Sequence, residues 1–288
     1  MITTDALVEN VHFLSERMSA ADVGWRALAS NLSDIAAMGA RPVLVTVALG
    51  VARTTHEEWI LRCYEGMADF AKRSGVAIAG GDIVRAPSLF ITIAAVGEVR
   101  TSNRKTRDAA RAGDVLAVTG PLGASRAGLE ILVDRPDLEN DGRFVDALAA
   151  YRRPHARLRE GARFGASSNV HAMMDISDGL STDLHRMCAA SGVGALVDVS
   201  QLPIAACARS FAEVAGRDPL RYALGGGEDF ELLVAIAPRA FRAVAAGFER
   251  AFDRPLHGIG VVTAEPHLII RDAAGVRALE RTGWESLG

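Results

Sequence analysis

The sequence predicts an α/β (α+β) fold in two domains, and three observations carry that prediction. Apolar, β-branched runs of strand length recur along the chain; helical periodicity lies between them; and one polar, helix-poor stretch, Arg104–Asp114, separates a short unit from a longer one. In the first unit, Asp22–Met38 reads as a helix with Trp25, Leu28, Leu32 and Ile35 on one side. Val43–Val51 follows as a strand. Glu57–Arg73 is an amphipathic helix whose Ile60, Tyr64, Met67 and Ala71 share a face, and Gly75 stops it after a basic last turn. Strands at Val76–Ala79 and Leu89–Val99 complete a strand–helix–strand–strand order.

Beyond the boundary the alternation continues. A strand is expected at Val115–Thr119, a helix at Ala124–Leu132, a charged loop at Asp134–Gly142 and a helix at His155–Phe164. Strand Ala172–Ile176 leads into helix Leu180–Ala190, closed by Gly192. Strands at Ala195–Val199, Glu231–Ile236 and Gly258–Val262 and helix Arg239–Phe252 finish a second α/β unit. The expected domains are therefore 1–110 and 111–288.

With 288 residues, 49% hydrophobic and 23% charged, the chain can bury two cores, and its net charge of −3 offers no basic face for nucleic acid. Apolar stretches such as Val43–Val51 and Leu89–Val96 are far short of the roughly 20 residues of a membrane span, and no export signal is expected at the start. Three cysteines, Cys63, Cys188 and Cys207, are widely spaced, which reads as buried thiols in a reducing cytoplasm rather than a zinc set. Neither lysine, Lys72 or Lys105, lies in a G-x-x-x-x-G-K-[ST] loop, so a Walker-type nucleotide site is excluded.

Five acidic places stand out because each lies among small, nearly uncharged residues. Asp34 is the sole charge in Ala-Leu-Ala-Ser-Asn-Leu-Ser-Asp-Ile-Ala-Ala-Met-Gly-Ala, on a helix apolar on both faces, where a lone carboxylate is costly unless paired or bound to a cation. Asp82 ends the strand Val76–Ala79 after Gly80-Gly81, a place for close backbone approach to a ligand; an ordinary turn aspartate is the alternative. Asp175-Ile-Ser-Asp178-Gly sets two acids at a strand end ahead of a helix, and a helix cap accounts for only one of them. Gly225-Gly-Gly-Glu-Asp-Phe-Glu is either a plain turn or a second acid-bearing loop, and Asp5 follows Thr3-Thr4. Carboxylates at junctions between elements suit oxygen ligation of a hard divalent cation, most simply Mg²⁺.

At these segments the sequence resembles thiamine-monophosphate kinases, of the superfamily that includes aminoimidazole ribonucleotide synthase (the PurM-like fold). The matching pieces are Thr3–Phe13, Asn31–Pro42, Gly80–Arg85, Asp175–Leu180 and Gly226–Leu232, in the family's order. The resemblance implies a homodimer joined through the N-terminal sheets, with ATP between domains. It implies Thr3, Thr4, Asp5, Asp34, Asp82, Asp175 and Asp178 as magnesium ligands, and Gly81, Asp82, Arg107 and Ser177 as ATP contacts. His12, Glu228 and Trp284 are implied as contacts to thiamine monophosphate. The implied reaction is direct in-line transfer from Mg-ATP to the phosphate of thiamine monophosphate. A relative that activates another acceptor, or a protein that binds nucleotide without turnover, is the competing reading.

The sequence departs from the family at Asn10, where a Gly is usual, and at Ile83-Val84, where two threonines are usual. The resemblance also implies a preceding segment of about forty residues with Gly-x-Gly-Asp-Asp, supplying a further strand and magnesium ligand, so either the start is misassigned or part of the metal site is lacking.

Overall fold

A computed structural model describes residues 1–284. The first sheet has four strands in the order β1-β4-β2-β3: β1 (Ile2–Val8), β2 (Arg41–Val51), β3 (Ala77–Arg85) and β4 (Phe90–Glu98). β4 runs antiparallel to both β1 and β2, whereas β3 lies parallel to β2. Helices α1 (Ala20–Ala37) and α2 (Glu57–Ser74) cover one face of it. Ser19 caps α1 by accepting from the Asp22 amide at 3.1 Å, which sets its start two residues ahead of the periodic pattern. Gly75, in the left-handed region, ends α2 as expected.

α1 is buried almost all round because the second unit packs on its other side, against α5 (Leu158–Gly165) and β6 (Val170–Asp175). Trp25 Nε1 donates to the Pro154 carbonyl at 2.8 Å, tying the two units together. α1 and α2 cross at backbone contact: a Cβ on Gly24 would strike the Cys63 carbonyl, and one on Gly66 the Ala21 carbonyl.

Three expectations need correction. Ile2–Val8 is an edge strand, which its run Thr-Thr-Asp concealed. Asp82 does not end a strand: after a register shift opposite Val45 and Thr46, β3 continues through Gly81, whose missing Cβ lets it pass the Val47 carbonyl, and on through Ile83-Val84 to Arg85. The helix expected at His155–Phe164 starts only at Leu158, beyond Pro154.

The second sheet has seven strands in the order β11-β10-β7-β9-β5-β8-β6. They are β5 (Val115–Val118), β6, β7 (Gly194–Asp198), β8 (Leu232–Ile236), β9 (His257–Thr263), β10 (Leu268–Asp272) and β11 (Gly275–Ala278). The intervening helices are α3 (Ala124–Asp134), α4 (Val145–Arg152), α5, α6 (Leu180–Ser191), α7 (Ala206–Ala215), α8 (Leu220–Gly225) and α9 (Phe241–Phe252). β8 is buried on both faces: Leu233 and Ala235 enter one apolar cluster, Leu232, Val234 and Ile236 another. α4, α7, α8, β10 and β11 were not anticipated; α4 is Ala-rich, with little apolar contrast to show a period.

The α1–α2 contact yields a stability prediction. Gly24→Leu should cost about 3 kcal/mol in a urea titration, because the side chain must push two helix backbones apart.

Candidate active site

A cavity of about 660 Å³ opens between the two units, under α1. Its acidic end is assembled from three directions. Thr3 and Asp5 lie on the helix-facing side of β1, opposite Ala95 and Ile93. Thr3 Oγ1 donates to the Asp34 carboxylate, and the Asp5 amide donates to Asn31 Oδ1 at 3.0 Å, so α1 fixes both ends of this pair. From the other unit, Asp175 closes β6, and its Oδ2 accepts from Ser33 Oγ of α1 at 2.6 Å. Asp178 stands three residues on, ion-paired with Arg186.

These carboxylates strain one another. Burial, aided by the charge of Asp34, pushes Asp175 up to about 8 against the Ser33 hydrogen bond. Asp5 keeps a solvent-facing edge, yet the cleft walls shield it; burial first, then the charges of Asp34 and Asp178, push it up to about 6. Asp34 is also raised by burial, with Thr3 and the Arg107 charge pulling the other way. Asp183, which accepts from the Asp178 amide at 3.0 Å, is pushed up to about 7 by burial and by the charge of Asp178.

An all-oxygen, mutually repelling donor set is chemically matched to a hard divalent cation. Among the described residues no three acids form a ready-made cage. Mg²⁺ commonly takes one or two carboxylates and fills its other positions with water and phosphate oxygens, so pairs of these acids rather than a closed cage would hold it.

The rest of the lining is mixed aromatic and polar. His12 follows the turn at Asn10, which sits at φ 64°; Asn tolerates this left-handed geometry best after Gly, which is why it can stand in the usual glycine's place. His12 Nδ1 accepts from the Val8 amide at 3.1 Å, so the neutral ring carries its proton on Nε2. Glu228 follows Gly225-Gly-Gly at φ 56°, its amide donating to the Ser177 carbonyl at 2.7 Å. Trp284 is half exposed on the rim, and its amide donates to the Asp178 carbonyl at 2.9 Å. The three acids of Gly-Gly-Glu-Asp-Phe-Glu have separate tasks. Asp229 is half-buried at the start of α3, accepting from the Gly123 amide at 2.8 Å. Glu231 is buried against Arg157 and Arg254. Only Glu228 lines the cavity.

Of the residues singled out in the sequence, Asp5, His12, Asp34, Asp175, Ser177, Asp178, Glu228 and Trp284 line this one cavity. Thr3 stands behind Asp34. Arg107 is exposed and near enough for its charge to act on Asp34. Thr4 points to the other face of β1. Gly81 and Asp82 lie on β3, at the opposite edge of the sheet, away from the cavity; two strands, β4 and β2, separate them from β1. Sequence reasoning missed Arg26, Ser33, Asp183 and Arg186. Arg26, Ser30 and Asp34 recur every four residues on α1 and all line the cavity, a spacing that could have revealed Arg26.

Comparisons with known proteins agree with this architecture. The family described as AIR synthase related protein, N-terminal domain, matches residues 1–99, and its C-terminal domain matches residues 111–273. A thiamine-monophosphate kinase from Rhodopirellula baltica is 42% identical over 82% of this chain and 67% of its own. The crystal structure of thiamine-monophosphate kinase from Stenotrophomonas maltophilia superposes with a TM-score of 0.85 at 34% identity, covering 94% of this chain and 84% of that one. A structure described as AaThiL complexed with AMPPCP and TMP gives 0.86 at 29%, over 99% and 86%. By fold and paired domains this is an AIR synthase-related protein. Within that class, the chain belongs to the thiamine-monophosphate kinase family.

The carboxylate strain has a measurable sign. The folded-state value for Asp175 lies near 8, above the unfolded 3.8, so the folded chain holds the proton more tightly. The corresponding stability is complete below the unfolded value and is lost as pH rises through about 8. In metal-free protein, Asp175→Asn should therefore melt higher than wild type at pH 8, with the gap closing toward pH 4. Added Mg²⁺ should raise the wild-type melting temperature more than that of the variant.

Proposed function

We propose that this chain transfers the γ-phosphoryl group of ATP to the phosphate of thiamine monophosphate, giving thiamine diphosphate and ADP. The observation that carries the reading is that one cavity is lined both by these carboxylates and by His12, Glu228 and Trp284. Both groups come from the segments by which the sequence resembles the family. The complex of a relative with AMPPCP, an ATP analogue, and TMP supports the same pair of substrates.

The acceptor phosphate is itself the nucleophile and is anionic near neutral pH, so no general base is required. Two unit charges about 4 Å apart repel by about 4 kcal/mol at an effective dielectric of roughly 20, and that repulsion is what the site must offset. Mg²⁺ would be held by Asp5, Asp34, Asp175 and Asp178, and when bound it neutralises phosphate charge and orients both groups for in-line displacement. Ser177 and Arg107 are assigned to the nucleotide phosphates. His12 offers its Nε2 proton, Glu228 its carboxylate and Trp284 its ring to the acceptor, positioning rather than exchanging protons with it.

Gly81 and Asp82 enter the reading through a second copy of the chain. The uncovered face of the first sheet carries exposed Ile2, Thr4, Ala6, Thr46 and Ala48 beside Asp82. Pairing two such faces would bury this apolar patch and bring Asp82 toward bound nucleotide as part of a homodimer. The work is assigned to the cytoplasm, the compartment that supplies ATP and keeps the buried Cys63, Cys188 and Cys207 reduced. Among the described residues no helix is long and apolar enough to cross a membrane.

Purified protein with Mg-ATP and thiamine monophosphate should yield thiamine diphosphate and ADP; absence of product at saturation overturns the assignment. Asp34→Asn and Asp175→Asn should each lower kcat by roughly a hundredfold or more with the circular-dichroism spectrum unchanged, because a neutral amide ligates and screens more weakly. Sedimentation should give twice the chain mass, and Ala6→Arg, which puts charge into the sheet face, should give the single-chain mass.

A further inference from the structure

We infer that Arg26 is a positioning residue for the acceptor: it holds the Glu228 carboxylate in place on the cavity wall. This rests on the reading above that Glu228 contacts the acceptor. Arg26 is the sole cation of α1, and its side chain is 1% exposed although it lines the cavity. A guanidinium that deeply buried is costly unless its charge and donors are used. Nη1 donates to the Tyr151 carbonyl at 2.5 Å, and the guanidinium carbon stands 4.1 Å from the centre of the Tyr151 ring. Nη2 touches Glu228 Oε1 as an ion pair without hydrogen-bond geometry, and Nε has no hydrogen-bond partner. One carboxylate oxygen therefore supplies the compensating charge for a cation locked from two other sides.

The asymmetry of the pair gives the assignment its direction. Arg26 is fixed by helix, ring and carbonyl, whereas Glu228 is about one-third exposed (35%) and faces the cavity. The Glu228 backbone is already constrained, at φ 56°, by its bond to Ser177, and Asp229 anchors the next residue at the start of α3. Only the side-chain torsions remain free, and Arg26 removes that freedom. A carboxylate clamped in this way can accept from an N–H donor or face a ring cation on the acceptor without first losing rotamer entropy. Since α1 also carries Asp34, the group that orients the acceptor and a group of the acidic end share one rigid element.

The test is a double-mutant cycle. Arg26→Met keeps the side-chain length and removes the charge; Glu228→Gln removes the acceptor's partner. Arg26→Met should raise KM for thiamine monophosphate about tenfold, with a much smaller change in KM for ATP and in kcat; Arg26→Lys should recover most of the loss; and the double variant should be no worse than Glu228→Gln alone. Melting curves separate folding defects, since a merely structural arginine would lower the melting temperature and disturb both substrates alike. If Glu228→Gln raises KM and Arg26→Met does not, or if the two effects simply add, the positioning role is overturned while the Glu228 contact stands. If Glu228→Gln leaves KM unchanged, the contact itself fails and the role of Arg26 falls with it.

Discussion

Negative charge held closer than it would choose to be is the constraint around which this molecule is arranged. Asp34 belongs to one unit and Asp175 to the other, and burial raises both. What keeps them together is not their own interaction but a frame of neighbours: Thr3 donating to Asp34, Ser33 donating to Asp175, Asn31 accepting from the Asp5 amide, and Arg186 ion-paired with Asp178. The apolar packing of α1 between two sheets supplies the stability that this repulsion removes. A fold that keeps such a cluster gives up stability to do so.

Much of this was legible in the sequence because the physics was local. A carboxylate inside an apolar helix, or two acids at a strand end, is costly wherever the chain goes, so Asp34 and the pair Asp175 and Asp178 could be read without knowing what they faced. The same holds for the amphipathic α2 and its glycine stop. Strand β1 was less visible because its site-bearing face carries Thr3 and Asp5 where a core strand would carry apolar residues.

Long-range pairing was not legible. Nothing near Arg26 in sequence announces Glu228, and nothing near Ser33 announces Asp175, since those partners meet only when the two units dock. The Gly-Gly-Glu-Asp-Phe-Glu run shows the limit from the other side. Its acids looked alike in sequence, yet one caps a helix, one closes a buried arginine network and one faces the cavity. Asp82 was legible as unusual but not as remote, because a glycine pair reads equally well as a loop or as a strand that must slip past its neighbour.

The stripe Arg26–Ser30–Asp34 has a geometric corollary. A helix rises 1.5 Å per residue, so the eight residues from Arg26 to Asp34 span about 12 Å of axis that no loop movement can stretch. The molecule thus carries a ruler along its cavity wall, graduated by backbone hydrogen bonds rather than by flexible side chains. The interval between the arginine that grips Glu228 and the carboxylate of Asp34 is therefore set by the fold itself, whatever occupies the cavity.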